Sequence, residues 1–320
     1  MQQIIDPIDV SLLKAELTKD KMLRRTNKSN NEIYIITAHD SPNVMREIGR
    51  LREIAFRHYG GGTGLDCDID EFDTMEDAYR QLVVWCPEQE KILGGYRFLC
   101  GSDIKFDKNG KPILATSHLF DFSERFKKEF LPYTVELGRS FVTLEYQSTR
   151  AGSKGLFVLD NLWDGLGALS VIDPSLKYYF GKVTMYNTYN AEARNMILYF
   201  LNMHFSDPDN LLVPACPLET GADEEKMKAL FCHDTFKENY KVLNTEVRKL
   251  GINVPPLVNA YMSLSPKMRV FGTAVNYEFG KVEETGILIA IDEILEEKKK
   301  RHIETYLKEE SQGLDLIRNN

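Results

Sequence analysis

The chain has 320 residues, 43% of them hydrophobic, and a formal net charge of −8: enough apolar material for a sizeable packed core, and a balance that argues against general nucleic-acid binding, which needs Lys and Arg to neutralise phosphates. No apolar run approaches the roughly eighteen residues of a membrane span, and no basic segment precedes an apolar stretch near the start, so a soluble cytoplasmic protein is expected. Cys67, Cys86, Cys100, Cys216 and Cys232 are odd in number and never in CxxC spacing, and the histidines never fall in HxxxH or HxH spacing, so neither a disulfide framework nor a metal site is expected.

Residues 9–19 have helical spacing in Val10, Leu13 and Leu17 and, with the polar stretch 24–31, make a helical extension over 1–30. Tyr34, Ile35, Ile36 and Thr37 read as a first strand, and Ser41 then Pro42 supply an N-cap and first-turn residue for a helix over about 42–58. Gly60, Gly61, Gly62 and Gly64 end that helix in a flexible loop. The apolar segments 81–86 and 92–99 lie at hairpin distance, which predicts an antiparallel pair. A helical stretch around 119–130 precedes a strand over 134–143, then a loop over 147–155 rich in small and basic residues, then a buried helix over 156–172. A strand over 178–186 and a helix over 192–204 complete a core spanning 31–206, and this order predicts a mixed sheet flanked by helices.

Beyond Pro208 the composition shifts. Polar-faced helices are expected over 222–233 and 235–250, the second stopped by Gly251. Strand-like segments follow at 257–264 and 286–291, within a C-terminal part over 207–292 packed on the core, and a charged tail helix lies within 293–320. Local charge is more telling than the total: residues 45–58 carry Arg46, Arg50, Arg52 and Arg57 against two glutamates, whereas residues 66–77 carry seven acids and no base. A basic face beside an acidic pocket suits an anionic carrier and a cationic amine together. Two solvated surface faces are the plainer alternative.

Three stretches carry a family likeness: Leu51, Arg52 and Phe56 with Asp68, Asp70, Phe72 and Asp73; Ile92 to Arg97; and Glu136-Leu-Gly-Arg139-Ser140. With Phe180-Gly181 and the segment from Pro255 to Tyr261, their order resembles the ornithine-lipid and glycine-lipid N-acyltransferases, a hemolysin-like branch of the N-acetyltransferase (GNAT) superfamily related to the acyl-homoserine-lactone synthases. The resemblance implies an α/β GNAT fold, a mixed central sheet flanked by helices with an added C-terminal region of helices and strands. It also implies transfer of a long-chain acyl group, 3-hydroxylated or not, from an acyl-carrier-protein thioester to the amine of glycine or ornithine, forming a lyso-aminolipid. An acetyl-CoA-dependent transferase and a non-catalytic acyl-carrier or lipid-binding module are the competing readings. No permanently bound cofactor is implied. Acyl-ACP, through its phosphopantetheine thioester, or acyl-CoA is the co-substrate, and the implied partners are acyl carrier protein and a small amino acid. The basic residues 298–302 read first as a solvated helix face, with a contact to acyl carrier protein or a peripheral one at the inner face of the membrane as the alternative.

Moving an acyl group from a thioester to an amine needs a neutral amine, a route for its proton and donors for the tetrahedral oxyanion, but no nucleophilic side chain. On the resemblance, Glu136, Arg97 and Arg139 form the catalytic set, with Glu136 as proton acceptor or else in a buried network with either arginine. Asp70 and Asp73 are expected to bind the ammonium group and Phe56 to line the substrate side. Arg52 or Arg97 would hold the carboxylate or lock the acidic loop over the site, and Asp66, Asp68 and Glu71 read as surface acids. The strand over 134–143 is expected to splay from its neighbour and offer the backbone at Phe141, Val142 and Thr143 to pantetheine. Arg150, Gly152, Ser153, Lys154 and Gly155 are expected to cradle a phosphate at a helix N-terminus. Met196, Leu198, Tyr199, Leu201 and Phe205 read as core before an acyl tunnel.

Overall fold

The computed structural model describes residues 1–147 and 153–307, the side chains of 153–156 excepted. Helix α1 (Val10–Glu16) is capped by Asp9, whose carboxylate accepts the Ser11 N–H. Strands β1 (Met22–Arg25) and β2 (Glu32–Ile36) precede α2 (Pro42–His58), which starts with Pro42 in its first turn. Ser41 stands at the N-cap, but its side chain makes no cap bond. Glu16 of α1 supplies it from a distance: Oε1 accepts the Asn43 N–H at 3.1 Å and Oε2 the Val44 N–H at 2.8 Å. The glycine loop that follows is pinned rather than loose, because Thr63 and Gly64 donate their N–H groups to the fully buried Glu53 of α2.

After the short α3 (Glu71–Thr74) come β3 (Arg80–Cys86), β4 (Lys91–Cys100), β5 (Phe120–Phe122), β6 (Thr134–Val142), α4 (Ser153–Ile172), β7 (Tyr178–Met185) and α5 (Ala191–Phe205). The chain ends through β8 (Leu212–Pro214), α6 (Glu224–Leu230), α7 (Phe236–Lys249), α8 (Pro256–Met262), β9 (Arg269–Asn276), β10 (Val282–Ala290) and α9 (Glu296–His302). Eight strands form one sheet in the order β1-β2-β3-β4-β6-β7-β10-β9, and β5 pairs with β8 in a small second sheet. Every neighbouring pair is antiparallel except β6 and β7, which run parallel and pair only from Thr134↔Tyr178 to Glu136↔Phe180. Beyond that rung the two strands part.

A bulge lies on the β6 arm of this fork. Gly95 faces Phe141 and Arg97 faces Gly138, so Arg139 and Ser140 together oppose Tyr96 alone, and Arg139 takes a left-handed backbone with φ of 50°. Side chains in a strand alternate faces, so one extra residue reverses the alternation. Val135 and Leu137 point to the core under α4, whereas Phe141 packs with the α2 core on the opposite face.

That opposite face carries two separate apolar clusters. One joins α1 and α2 to Val83, Trp85, Ile92 and Phe141; the other gathers Tyr79, Leu99, Phe120, Phe126, Phe180, Phe271 and Leu288. The larger core on the reverse face takes α4, α5 and α7 and contains Met196, Leu201 and Phe205, with Tyr199 packed against it; Leu198 is buried outside that cluster.

The expected elements are mostly present, but several differ, the short α3 and β8 among those not foreseen. Residues 257–264 are not a strand but the helix α8 through Met262 and a turn, since Pro256 opens a first turn and Val258 and Met262 bury one face at helical spacing. The helix expected over 119–130 is β5 followed by one wide helical turn at 126–130, because Phe120 and Phe122 pair with Leu212 and Pro214. Strand β1 falls at the start of a stretch read as polar linker, and β9 was not foreseen; β9 and β10 extend the main sheet itself beside β7. The charged tail is helical over α9, and residues 308–320 lie outside those described.

Replacing Glu16 by Ala leaves two backbone donors of α2 without their partner. The expected loss is about 1–2 kcal/mol, read as a lower urea midpoint at unchanged m-value.

Candidate active site

Between the two apolar clusters the sheet carries a band of charge. Gln81, Arg97 and Gly138 lie side by side on β3, β4 and β6, and the buried Glu136 is one rung away. Helix α2 faces this band with Arg52, and the acidic loop closes over it. The loop can approach because residue 49 is glycine: a Cβ there would sit 2.5 Å from Cys67 Sγ, and the Gly49 carbonyl accepts the Asp68 N–H at 3.1 Å.

Asp73 is the centre of the band. Arg52 Nη1 reaches its Oδ2 at 3.2 Å, Arg97 Nη1 reaches the same oxygen at 3.2 Å, and Gln81 Nε2 donates to Oδ1 at 2.9 Å. Arg52 also donates to Gln81. Burial pushes the Asp73 carboxyl upward, but Arg52 and Arg97 outweigh it and hold the group well below the ordinary carboxylate range. Burial alone would lower the Arg97 pKa; Asp73 and Asp70 raise it above the usual arginine value. For Arg52 burial prevails and the shift is downward.

Asp70 and Asp68 extend the network to the bulge. Asp70 caps α3 in a reciprocal capping box with Asp73, accepts Arg97 Nη1 at 2.6 Å, and lies 3.4 Å from Arg139 Nη2. Arg139 Nε lies 3.0 Å from Asp68 Oδ2, and its guanidinium stacks 4.2 Å from the centre of the Phe279 ring. Asp68, expected at the surface with Asp66 and Glu71, is fully buried, while those two are exposed. Phe56 lies in the α2 core, its ring 5.2 Å from that of Phe279.

The structure therefore brings together Arg52, Asp70, Asp73, Arg97 and Arg139, and ties the acidic loop to the sheet through them. Arg52 and Asp73, fully buried and paired, have their charges engaged with each other and with Arg97. Two guanidinium nitrogens of the band, Arg52 Nε and Arg97 Nε, have no hydrogen-bond partner among the described residues. A Cβ on Gly138 would sit 3.5 Å from that of Arg97, so this buried nitrogen lies beside Gly138, near the point where β6 parts from β7.

Glu136 does not pair with Arg97 or Arg139. Its Oε1 accepts the Thr116 hydroxyl at 2.6 Å and the Thr116 N–H at 3.1 Å, its Oε2 accepts the Tyr79 hydroxyl, and the Tyr79 oxygen in turn accepts the Ala115 N–H at 3.0 Å. Burial pushes the Glu136 carboxyl up, partly countered by these donors. Sequence reasoning missed Thr116 and Tyr79, which carry no motif signal.

On the donor side, the strand over 134–143 does part from its neighbour, β7, and does so after Glu136. Thr143 has no backbone group to spare: its N–H donates to Leu93 O at 2.8 Å and its carbonyl accepts the Tyr146 N–H at 2.8 Å. Phe141 is buried, and the Val142 carbonyl accepts the Gln147 side chain at 2.5 Å. Arg150 and Gly152 lie outside the described residues. The backbone of Ser153, Lys154 and Gly155 forms the first turn of α4, and their side chains lie outside the description.

A second charged group lies across the fork. Lys182 of β7 donates to the buried Glu284 of β10, which also accepts Asn276 Nδ2 at 3.0 Å and the Thr184 hydroxyl at 3.1 Å. Neither Lys182 nor Glu284 was singled out from the sequence, because Lys182 is a lone cation in its strand, Glu284 is one of two adjacent glutamates, and the two meet only when β10 lies beside β7.

A family model described as an acetyltransferase (GNAT) domain matches residues 51–154, the stretch that holds the band of charge and the β6 arm. The fold and this match define an acyltransferase of the GNAT class. A Phocaeicola vulgatus protein named glycine N(alpha)-acyltransferase is 68% identical over 316 residues, covering 99% of this chain and 97% of its own. A Bacteroides thetaiotaomicron protein of the same name is 67% identical over 316 residues, with 99% and 94% covered. The chain belongs to the family of these acyltransferases. The solved structure of a CoA-dependent acyl-homoserine lactone synthase, BjaI, with SAM and isopentyl-CoA aligns over 84% of this chain and 86% of its own at 12% identity, with a TM-score of 0.37. Among the described residues no helix is long and apolar enough to cross a membrane.

Replacing Asp73 by Asn leaves two buried arginines short of a counter-charge. The expected cost is about 3–5 kcal/mol. Because the native Asp73 pKa is depressed, its contribution is complete above the ordinary carboxylate value of about 4 and is lost as pH falls below it. Urea unfolding from pH 7 to pH 3 should therefore show a shallower acid decline for Asp73→Asn than for the wild type.

Proposed function

We propose that the chain transfers an acyl group from a pantetheine thioester, carried by acyl carrier protein or coenzyme A, to the amine of glycine. With a long-chain donor, 3-hydroxylated or not, the product is a lyso-aminolipid. The observation that carries this reading is the unpaired Arg97 Nε beside Gly138, near the point where β6 and β7 separate. The glycine named for both close relatives supports the choice of acceptor.

In this reading the pantetheine arm runs along the β6 edge left unpaired after Glu136, the first turn of α4 takes its phosphate, and the thioester carbonyl lies over Gly138. Arg97 then donates to the oxygen as it gains charge. Its guanidinium is already fixed by Asp70 and Asp73, so little reorganisation accompanies the reaction. Glu136 serves as a positioning residue: both its oxygens hold the segment around Thr116 and Tyr79 beneath the site. Arg139 and Asp70, the more accessible members of the network, form the rim on the acidic-loop side.

The purified chain, supplied with glycine and a hexadecanoyl thioester of either acyl carrier protein or coenzyme A, should yield N-hexadecanoylglycine by mass spectrometry with one free thiol per amide. Acetyl-CoA and ornithine should serve poorly. Arg97→Gln should lower kcat by about 100- to 1,000-fold. Absence of any N-acylglycine with both donors would overturn the proposal.

A further inference from the structure

Resting on glycine acylation as proposed above, we infer that Lys182 and Glu284 form the acceptor site: Lys182 holds the amino acid's carboxylate, and Glu284 receives the proton its ammonium group must lose.

Position is the first argument. Phe180 occupies the last rung shared with Glu136, so Lys182 is the next residue on the same face of the β7 arm, as Gly138 is on the β6 arm. A ligand atom over Gly138 has Arg97 Nε on one side and the Lys182 and Glu284 pair on the other.

Spare valence is the second. Arg52, Arg97 and Arg139 each engage two acceptors of the acidic loop or of Gln81. Lys182 Nζ has three N–H groups and, among the described residues, Glu284 as its sole partner. Glu284 accepts one bond at Oε1, from Thr184, leaving a lone pair there unclaimed. The pair can therefore bind a carboxylate and an ammonium without breaking its own bond.

Cost is the third. Glu284 is 1% exposed and the Lys182 side chain 11%. Buried ion pairs add little net stability, and β7 and β10 are already joined by eight rungs of backbone pairing. The fold does not need this pair. A site that must receive a zwitterion does.

The surroundings give the proton an exit. His118 lies at the rim, 38% exposed, beside Asn276 and 3.9 Å from Glu278 Oε2. Among the described residues, the charged and titratable groups acting on the pair are Arg97 and Arg139 from β4 and β6, Tyr186 after β7, and His118, which itself faces Glu278 after β9. Burial together with Lys182 keeps the His118 pKa below its ordinary value, so the ring is neutral at pH 7 and able to take a proton outward.

The step balances as follows. The ammonium gives one proton to Glu284, which passes it to solvent, and the freed lone pair attacks the thioester carbon to form the C–N bond. The C–S bond then breaks, and the departing thiolate leaves as a thiol with the second nitrogen proton. Acyl thioester and zwitterionic glycine become N-acylglycine carboxylate, free thiol and one released proton.

The test compares glycine with glycinamide, which lacks the carboxylate, on the wild type, Lys182→Met, Lys182→Arg and Glu284→Gln. Lys182→Met should reduce the glycine-to-glycinamide ratio of kcat/KM by about 30-fold, and Lys182→Arg should keep most of it. Glu284→Gln should lower kcat by about 100-fold and remove the acid limb of the pH–rate profile, with KM for the acyl donor unchanged. Should one charge alone prevent folding, the double variant Lys182→Met/Glu284→Gln removes both and must show the same loss of preference. An unchanged ratio in Lys182→Met, or an unchanged kcat and profile in Glu284→Gln, overturns the inference while N-acylglycine from the wild type upholds the parent reading. If the wild type binds glycine by saturation-transfer NMR without acylating it, loss of that signal in Lys182→Met keeps the acceptor site and overturns only the reaction; a retained signal overturns the site.

Discussion

Two guanidinium groups, Arg52 and Arg97, are taken out of water beneath the acidic loop, and Asp73 between them is what makes this tolerable. Burying an ion costs several kcal/mol even after relaxation, and only good geometry with further hydrogen bonds offsets it. Here Gln81 completes the geometry by bonding both Arg52 and Asp73. Helix α2, the acidic loop and strands β3 and β4 are thus tied at one point. None of them can shift without leaving a charge unpaired, so the loop is a fixed wall of the site.

From that point the order spreads to the fork. Asp70 links Arg97 to Arg139, and Arg139 sits in the bulge that reverses the alternation of β6. A bulge bends its strand and increases the local twist. On the inner side β6 and β7 stay close at the crotch, where a Cβ on Gly181 would lie 3.1 Å from Leu137 O; beyond it they diverge. The acidic loop, the bulge and the open strand edge are one mechanical unit, and Arg97 carries an unpaired Nε at the junction.

Much of this unit was legible in the sequence because its parts are local. The apolar pattern shows the strands that carry Arg97, Glu136 and Arg139, the family likeness singles out those three residues on them, and Pro42 marks the start of α2. What was illegible depends on distant pairing. Glu16 caps α2 from another helix, Thr116 serves Glu136 from an irregular segment, and Lys182 meets Glu284 only because β10 returns beside β7. The segment 257–264 shows the limit of pattern reading: its apolar residues fit either period, and the prolines before it decide for helix. Asp68 looked like a surface acid because its partner, Arg139, lies in a bulge that no alternation pattern displays.

The charge balance of the whole band gives these features a common sense. Arg52, Arg97, Arg139 and Lys182 face Asp68, Asp70, Asp73 and Glu284, so each cation has a counter-charge. A band of paired charges gains nothing by admitting a lone ion, which would leave its own charge uncompensated in a poorly solvated place. A zwitterion brings both signs at once and disturbs no existing pair. On the proposed acylation of glycine, preference for a free amino acid over a simple amine or a carboxylate follows from this pairing as well as from any single contact, and the arginines complete the pairing without touching the acceptor.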